Sequence, residues 1–199
     1  MTAGRQAPDV IVVGGGIGGL SAAFALTRKG FQVRVLERSA EFGEVGAGMQ
    51  IAPNCTRILD AYGLLDQAKR LGVLPSAMVM KDAVDGTVLT SLDLKDAERR
   101  YGTPYMVIHR SDLHGLFLEA CREADVDLRT SQHVMSYGNT QNGALVTLAD
   151  GTVHEAPLVI AADGLHSAVR AQMHPDQPPI HWGGSIMWRE SSVGPRHCR

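Results

Sequence analysis

Hydrophobic residues in this chain fall into short unbroken runs and longer stripes of helical period, with glycines between them. Val10 to Val13 is a β-branched run closed by Gly14-Gly15-Gly16, the pattern of a parallel strand buried on both faces. From Ile17 to Lys29 the spacing predicts a helix. Ile17, Leu20, Phe24 and Leu26 gather largely on one face, Ala22, Ala23 and Ala25 favour the conformation, and Gly30 supplies the stop. Gln32 to Leu36 then predicts a second strand, with Glu37 at its end. Strand, glycine turn, helix and strand in so short a span make a βαβ unit, whose crossover should be right-handed.

Ser39 to Pro53 is glycine-rich and without period, so a loop is predicted there, followed by a helix over Asn54 to Tyr62 with Asn54 as its cap. Ser76 to Leu94 alternates, and Asp85-Gly86 divides it in the manner of a hairpin. Ser111 to Ala124 is amphipathic, with Ser111 as cap and Leu113, Leu116, Phe117 and Cys121 facing inward. A short strand is predicted over Val126 to Leu128, and hairpin strands around Asn142-Gly143 and Asp150-Gly151. Leu158 to Ala162 is a second run predicted to be buried, ending at Asp163-Gly164. His174-Pro175 and Pro178-Pro179 give the strongest boundary signal. The fold class these elements predict is α/β, with a Rossmann-like first unit.

Gly14, Gly16 and Gly19 satisfy GxGxxG. The first glycine permits the tight turn, the second lets a pyrophosphate approach the backbone, and the third lets the helix pack on the strand. The anion would rest on unpaired N–H groups at the helix N-terminus. Glu37 can accept both hydroxyls of an adenosine ribose, and its charge argues against a 2′-phosphate at this site. NAD and FAD both remain open at this point. Of the three Asp-Gly pairs, the one at Asp163-Gly164 follows a continuous apolar run and precedes Ser167 and Arg170. A plain structural turn and a phosphate-holding turn are both open there.

Composition narrows the classes. With 19 basic against 21 acidic residues and no basic block, nothing points to nucleic acid or an anionic membrane surface. No apolar run is long enough to span a membrane. Three widely spaced cysteines suit a reducing, cytoplasmic setting, and the first nine residues lack the layout of a secretory signal. His109, His114, His181, His197 and Cys198 lack metal-ligand spacing, so no metal is expected. Ser21 and Ser167 lack a nucleophile elbow, and Asp93, Asp96 and Glu98 read as a solvated charged face.

The opening through Glu37-Arg38, together with GEVGAGMQIAPN (43–54), HRSDLHGLF (109–117) and IAADGLHSAVR (160–170), resembles the FAD-dependent aromatic hydroxylases, single-component flavoprotein monooxygenases. Within that family the likeness is strongest to members acting on 3-hydroxybenzoate and salicylate, and it covers roughly residues 8–189. The resemblance implies an enzyme that uses NAD(P)H and O₂ to hydroxylate a phenolic aromatic acid, with FAD carrying the chemistry. It places Gly14, Gly16 and Gly19 at the FAD pyrophosphate, Glu37 at the adenosine ribose and Arg38 beside the adenine. Ala47, Gly48, Met49 and Gln50 would run past the flavin ring, and Arg110 would contact phosphate and ribitol. Val134 would present backbone to the adenine, and Asp163-Gly164 would form a second fingerprint serving FAD and NAD(P)H.

It further implies an FAD-binding domain over 1–175, with substrate-facing strands inserted at 76–107, and the truncated start of a substrate-domain sheet over 176–199. A homodimer is one assembly it leaves open. The later Gly-Asp motif of the family is missing after Arg170, so the catalytic base is expected outside this chain. Two alternatives stand beside the hydroxylase: a flavin-binding fragment without turnover, and an NAD-dependent dehydrogenase.

Overall fold

The computed structural model describes residues 7–43 and 46–185. Strand β1 (Val10–Val13) is buried at all four positions. Gly14, at φ +106°, then turns the chain into helix α1 (Ile17–Thr27). Gly30, at φ +91°, reverses it into β2 (Val33–Leu36), a conformation that costs glycine little. This is the predicted βαβ unit, with β2 parallel to β1 and Val33 opposite Val10.

The next segment departs from expectation. Gly48–Ile51 forms a strand, β3, inside the predicted loop, because it pairs antiparallel with a strand far along the chain. Helix α2 (Pro53–Ala61) begins from Ala52 without a side-chain cap. Pro53 occupies its first turn, where the missing N–H costs nothing, so Asn54 is not the cap. Helix α3 (Leu65–Leu71) was not anticipated. The predicted hairpin forms as β4 (Ala77–Lys81) and β5 (Val88–Asp93), with Gly86 at φ +77° in the turn.

Asp93 caps helix α4 (Leu94–Tyr101) by accepting from the N–H groups of Lys95 and Asp96, so it is a cap rather than part of a merely solvated face. Strand β6 (Met106–His109), the partner of β3, runs directly into α5 (Arg110–Glu123). The cap position of α5 is His109, and Ser111 lies within the first turn. Then follow β7 (Asp127–Arg129), β8 (Val134–Asn139), β9 (Ala144–Leu148), β10 (Val153–Ala156), β11 (Leu158–Ala161) and α6 (Ala168–Met173).

Four parallel strands in the order β11-β1-β2-β7 make the central sheet, and β10-β9-β8 make an antiparallel one. Because strand side chains alternate, β1 serves two cores. Val10 and Val12, with Val33 and Val35, pack with Leu20 and Ala23 of α1 and Leu113, Leu116, Phe117 and Cys121 of α5. Ile11, Val13 and Leu36 pack with Val134, Val146, Leu148 and Ala156 of the antiparallel sheet and Val169 of α6. Each of the Val, Leu, Ile and Phe side chains among these contributes about 1.5–3 kcal/mol when fully buried. The predicted burial of Leu158 to Ala162 does not hold. Leu158 is 49% exposed, because β11 is the edge of the central sheet among the described residues. Arg34 on β2 donates through Nε to Asp127 Oδ2 on β7 at 2.6 Å, tying neighbouring strands side by side.

Candidate dinucleotide site

The C-terminal ends of β1, β2 and β11 converge on one opening, where ligands of parallel α/β sheets collect. Backbone bonds join the three ends: Gly14 N–H donates to Leu36 O and Ala162 N–H to Val13 O, each at 2.8 Å. Above them lies a cavity of about 690 Å³, within the range of small-molecule and cofactor sites. Its walls include Gly14, Gly16, Glu37, Arg38, Arg110, Val134, Asp163 and Gly164. Eight residues anticipated from five separate stretches of sequence are thus brought together.

The glycine turn shows why side chains are excluded. A Cβ on Gly14 would stand 2.4 Å from Ala162 O, and one on Gly19 would stand 1.9 Å from Gly14 O. Gly19 is therefore beneath the turn, letting α1 close on β1, and is not among the cavity walls where the family resemblance placed it. Ala47, Gly48, Met49 and Gln50 also lie outside the cavity walls. Gly48 to Gln50 belong to β3, and Ala47 O accepts from Arg110 N–H at 3.1 Å, so this stretch abuts the segment that carries Arg110.

Glu37 is half-buried and already engaged. Its Oε2 accepts from Gly15 N–H at 2.6 Å and its Oε1 from Ser39 N–H at 2.8 Å. Burial pushes its carboxyl up, but the N–H groups of Ser39 and Gly15, with nearby Arg38, more than offset this and hold it below the usual value. Each carboxylate oxygen keeps a further lone pair for a ligand hydroxyl. The segment after Glu37 pairs with residues 129–132 through Glu37 N–H to Arg129 O, Gln132 N–H to Glu37 O and Ser131 N–H to Ser39 O. That pairing carries Gln132, His133 and Val134 to the rim.

Asp163 Oδ2 accepts from Val169 N–H at 3.3 Å, and Ser167 Oγ caps α6 through Arg170 N–H at 2.9 Å. Arg170 donates to Gly164 O at 3.3 Å, so hydroxyl and guanidinium both stiffen the second glycine turn.

Sequence reasoning missed Gln132, His133, Leu165 and His166 as wall residues. Leu165 and His166 follow directly on the Asp163-Gly164 turn that the sequence marks, whereas Gln132 and His133 sit in no distinctive motif and strand pairing alone brings them here. His109 occupies the cap position of α5, with Nδ1 2.7 Å from Ser111 Oγ. His114 is buried, with Nε2 2.8 Å from Gly15 O. His197 and Cys198 lie outside the described residues. Among the described residues, no group of three or more His, Cys, Asp or Glu side chains is placed to hold a metal, and no helix is long and apolar enough to cross a membrane.

These features suit an adenine dinucleotide. The bare turn at the N-terminus of α1 leaves N–H donors of the kind that hold anions, with a cation at the wall and an ionised carboxylate beside the turn. A 3-hydroxybenzoate 6-hydroxylase of Polaromonas naphthalenivorans (strain CJ2) is 42% identical over 182 residues, which are 90% of this chain and 45% of that protein. A 6-hydroxynicotinate 3-monooxygenase of Pseudomonas fluorescens is 34% identical over 186 residues, 89% of this chain and 46% of that protein. Among solved structures, Klebsiella pneumoniae HpxO complexed with FAD and uric acid matches with a TM-score of 0.74 at 30% identity, covering 82% of this chain and 41% of that one. The chain spans less than half the length of these curated relatives. The family described as FAD binding domain matches residues 7–181, and the chain belongs to that family.

Proposed function

We propose that this chain is the flavin-binding part of an FAD-dependent aromatic hydroxylase that uses NAD(P)H and O₂ on a phenolic aromatic acid of the 3-hydroxybenzoate or salicylate kind. The observation that carries the reading is the cavity itself, where Gly14, Gly16, Glu37, Arg110 and Asp163-Gly164 share one wall system. The names of the relatives supply the substrate class.

In this reading Gly16 and the first turn of α1 receive the pyrophosphate, and Glu37 accepts the ribose hydroxyls. Arg38 and the backbone at Val134 flank the adenine. Arg110 neutralises phosphate charge with a planar fork that lysine lacks. Asp163 and Gly164 shape the opposite wall, and the stretch from Ala47 to Gln50 lies toward the ring end. Bound FAD supplies the two-electron chemistry between NAD(P)H and O₂. The β4–β5 hairpin, within the inserted 76–107 segment, is turned toward substrate, and the setting is cytoplasmic.

Titration with FAD, followed by flavin absorption and quenching of flavin fluorescence, tests the reading. Saturable binding of FAD that ADP competes away, and that NADP⁺ does not, is expected. NAD⁺ bound in preference to FAD would move the chain to the dehydrogenases.

A further inference from the structure

Three glycines in succession leave the turn after β1 free to rotate its peptide planes, because nothing on Gly14, Gly15 or Gly16 restrains them. Yet anion binding there depends on which way a single plane faces. The structure holds Gly15 from both sides. Its N–H donates to Glu37 Oε2 at 2.6 Å, and its carbonyl meets His114 Nε2 at 2.8 Å. A carbonyl only accepts, so Nε2 carries the hydrogen in this pair.

His114 comes from α5, is only 3% exposed, and is not a wall of the cavity. No peptide among the described residues is cis. In the trans plane between Gly15 and Gly16, C=O and N–H point in opposite directions. Fixing the Gly15 carbonyl on an interior imidazole therefore turns the Gly16 N–H away from the interior, where Gly16 borders the cavity.

We propose that His114 is a positioning residue for dinucleotide binding, holding the Gly15–Gly16 peptide plane so that the Gly16 N–H faces the pyrophosphate. The inference rests on the FAD reading above. Arg110 and His114 are one turn apart on α5, so both lie on the helix face that meets the site. One reaches the cavity wall and the other grips the turn beneath it. A single helix thereby sets the distance between a cationic wall residue and the turn that receives the anion.

A histidine that merely fills the core predicts a different outcome from one that orients the turn. Affinities of the full 199-residue chain for FAD, ADP and adenosine are measured for the parent, His114→Leu and His114→Gln. Leucine removes the donor, while glutamine places an amide N–H near the position of Nε2. His114→Leu should bind FAD and ADP about tenfold more weakly, the equivalent of one charge-assisted hydrogen bond. Adenosine, which has no phosphate, should bind unchanged, and His114→Gln should recover most of the loss.

Equal affinities in all three chains overturn the proposal, and so does a parallel loss of ADP and adenosine in a folded His114→Leu chain. Failure of glutamine to recover any affinity also overturns it. If His114→Leu does not fold, His114→Asn takes its place, keeping a polar amide that stops short of Gly15. A parent chain that binds neither FAD nor ADP overturns the FAD reading itself; a parent that binds both with variants unaffected overturns only the role of His114.

Discussion

Strand β1 of the central sheet and the β4–β5 hairpin were both legible as strands, yet they stand at opposite extremes of burial. Every residue of β1 is buried, and Ile11, Val12 and Val35 are sealed completely. Every residue of β4 and β5 is exposed, including Met80 at 61% and Leu89 at 59%. Alternation of this kind suits a hairpin with one covered face, and among the described residues neither face is covered. An apolar rhythm records what a segment is suited to meet, and packing decides whether it is met. The glycine turn of the site is built on the buried side of this contrast, where the ends of β1 and β2 are fixed by two cores and the turn has no room to drift.

The contrast can be broken hardest at Gly19. With 1.9 Å available between an added Cβ and Gly14 O, Gly19→Ala should cost about 1–3 kcal/mol by overpacking and abolish FAD binding. Urea unfolding and an FAD titration measure both, and a parent-like turn would show that α1 can slide on β1.

A smaller effect is expected at Glu37. Glu37→Gln should weaken FAD by about tenfold, since charge-assisted bonds are worth about 1.5–3 kcal/mol. It should also alter the acid limb of the stability curve. The folded carboxyl titrates below its ordinary value of 4.5, so the unfolded chain binds more protons as the pH drops. The stabilisation is complete above that value and is lost as pH falls through the lowered one. The Gln chain should lose stability less steeply there, and identical acid limbs would remove Glu37 as a brace.

The smallest effect belongs to the hairpin. Met80→Thr and Leu89→Thr should each change stability by no more than about 0.5 kcal/mol, as read by thermal unfolding. A core-sized loss at either would mean that the hairpin is covered in solution.

How far the sequence revealed all this follows the range of the forces involved. The βαβ unit and α5 were legible because their signals are local: β-branched runs, glycine stops and helical period. Gly48–Ile51 was not, because its four residues become a strand only by lying opposite Met106–His109. Helix α3, seven residues long and without a side-chain cap, carries too little period to stand out. The caps at Asn54 and Ser111 were misplaced because Pro53 and the end of β6 fix those helix starts from the preceding residue.

Within the site, Gly14, Glu37 and Asp163 were marked by spacing and turn chemistry. The ties of Glu37 to Gly15 and Ser39, and of His114 to Gly15, depend on elements meeting across the fold, and no local pattern records them. Gly19 was assigned two duties, and the geometry keeps only the packing one.

The pairing of β1 with β11 has a consequence in time. Val10 lies beside Leu158, so the sheet that carries the glycine turn gains its outer strand only when nearly all of the described chain is available. During synthesis β1, α1 and β2 can associate early, while Ala162, Asp163 and Gly164 emerge only after the whole stretch from β3 to β11. Contacts so distant in sequence slow folding by the loop closure they require. The nascent chain therefore carries a glycine turn with one wall missing until β11 has docked beside β1, and cofactor capture has to wait for that event.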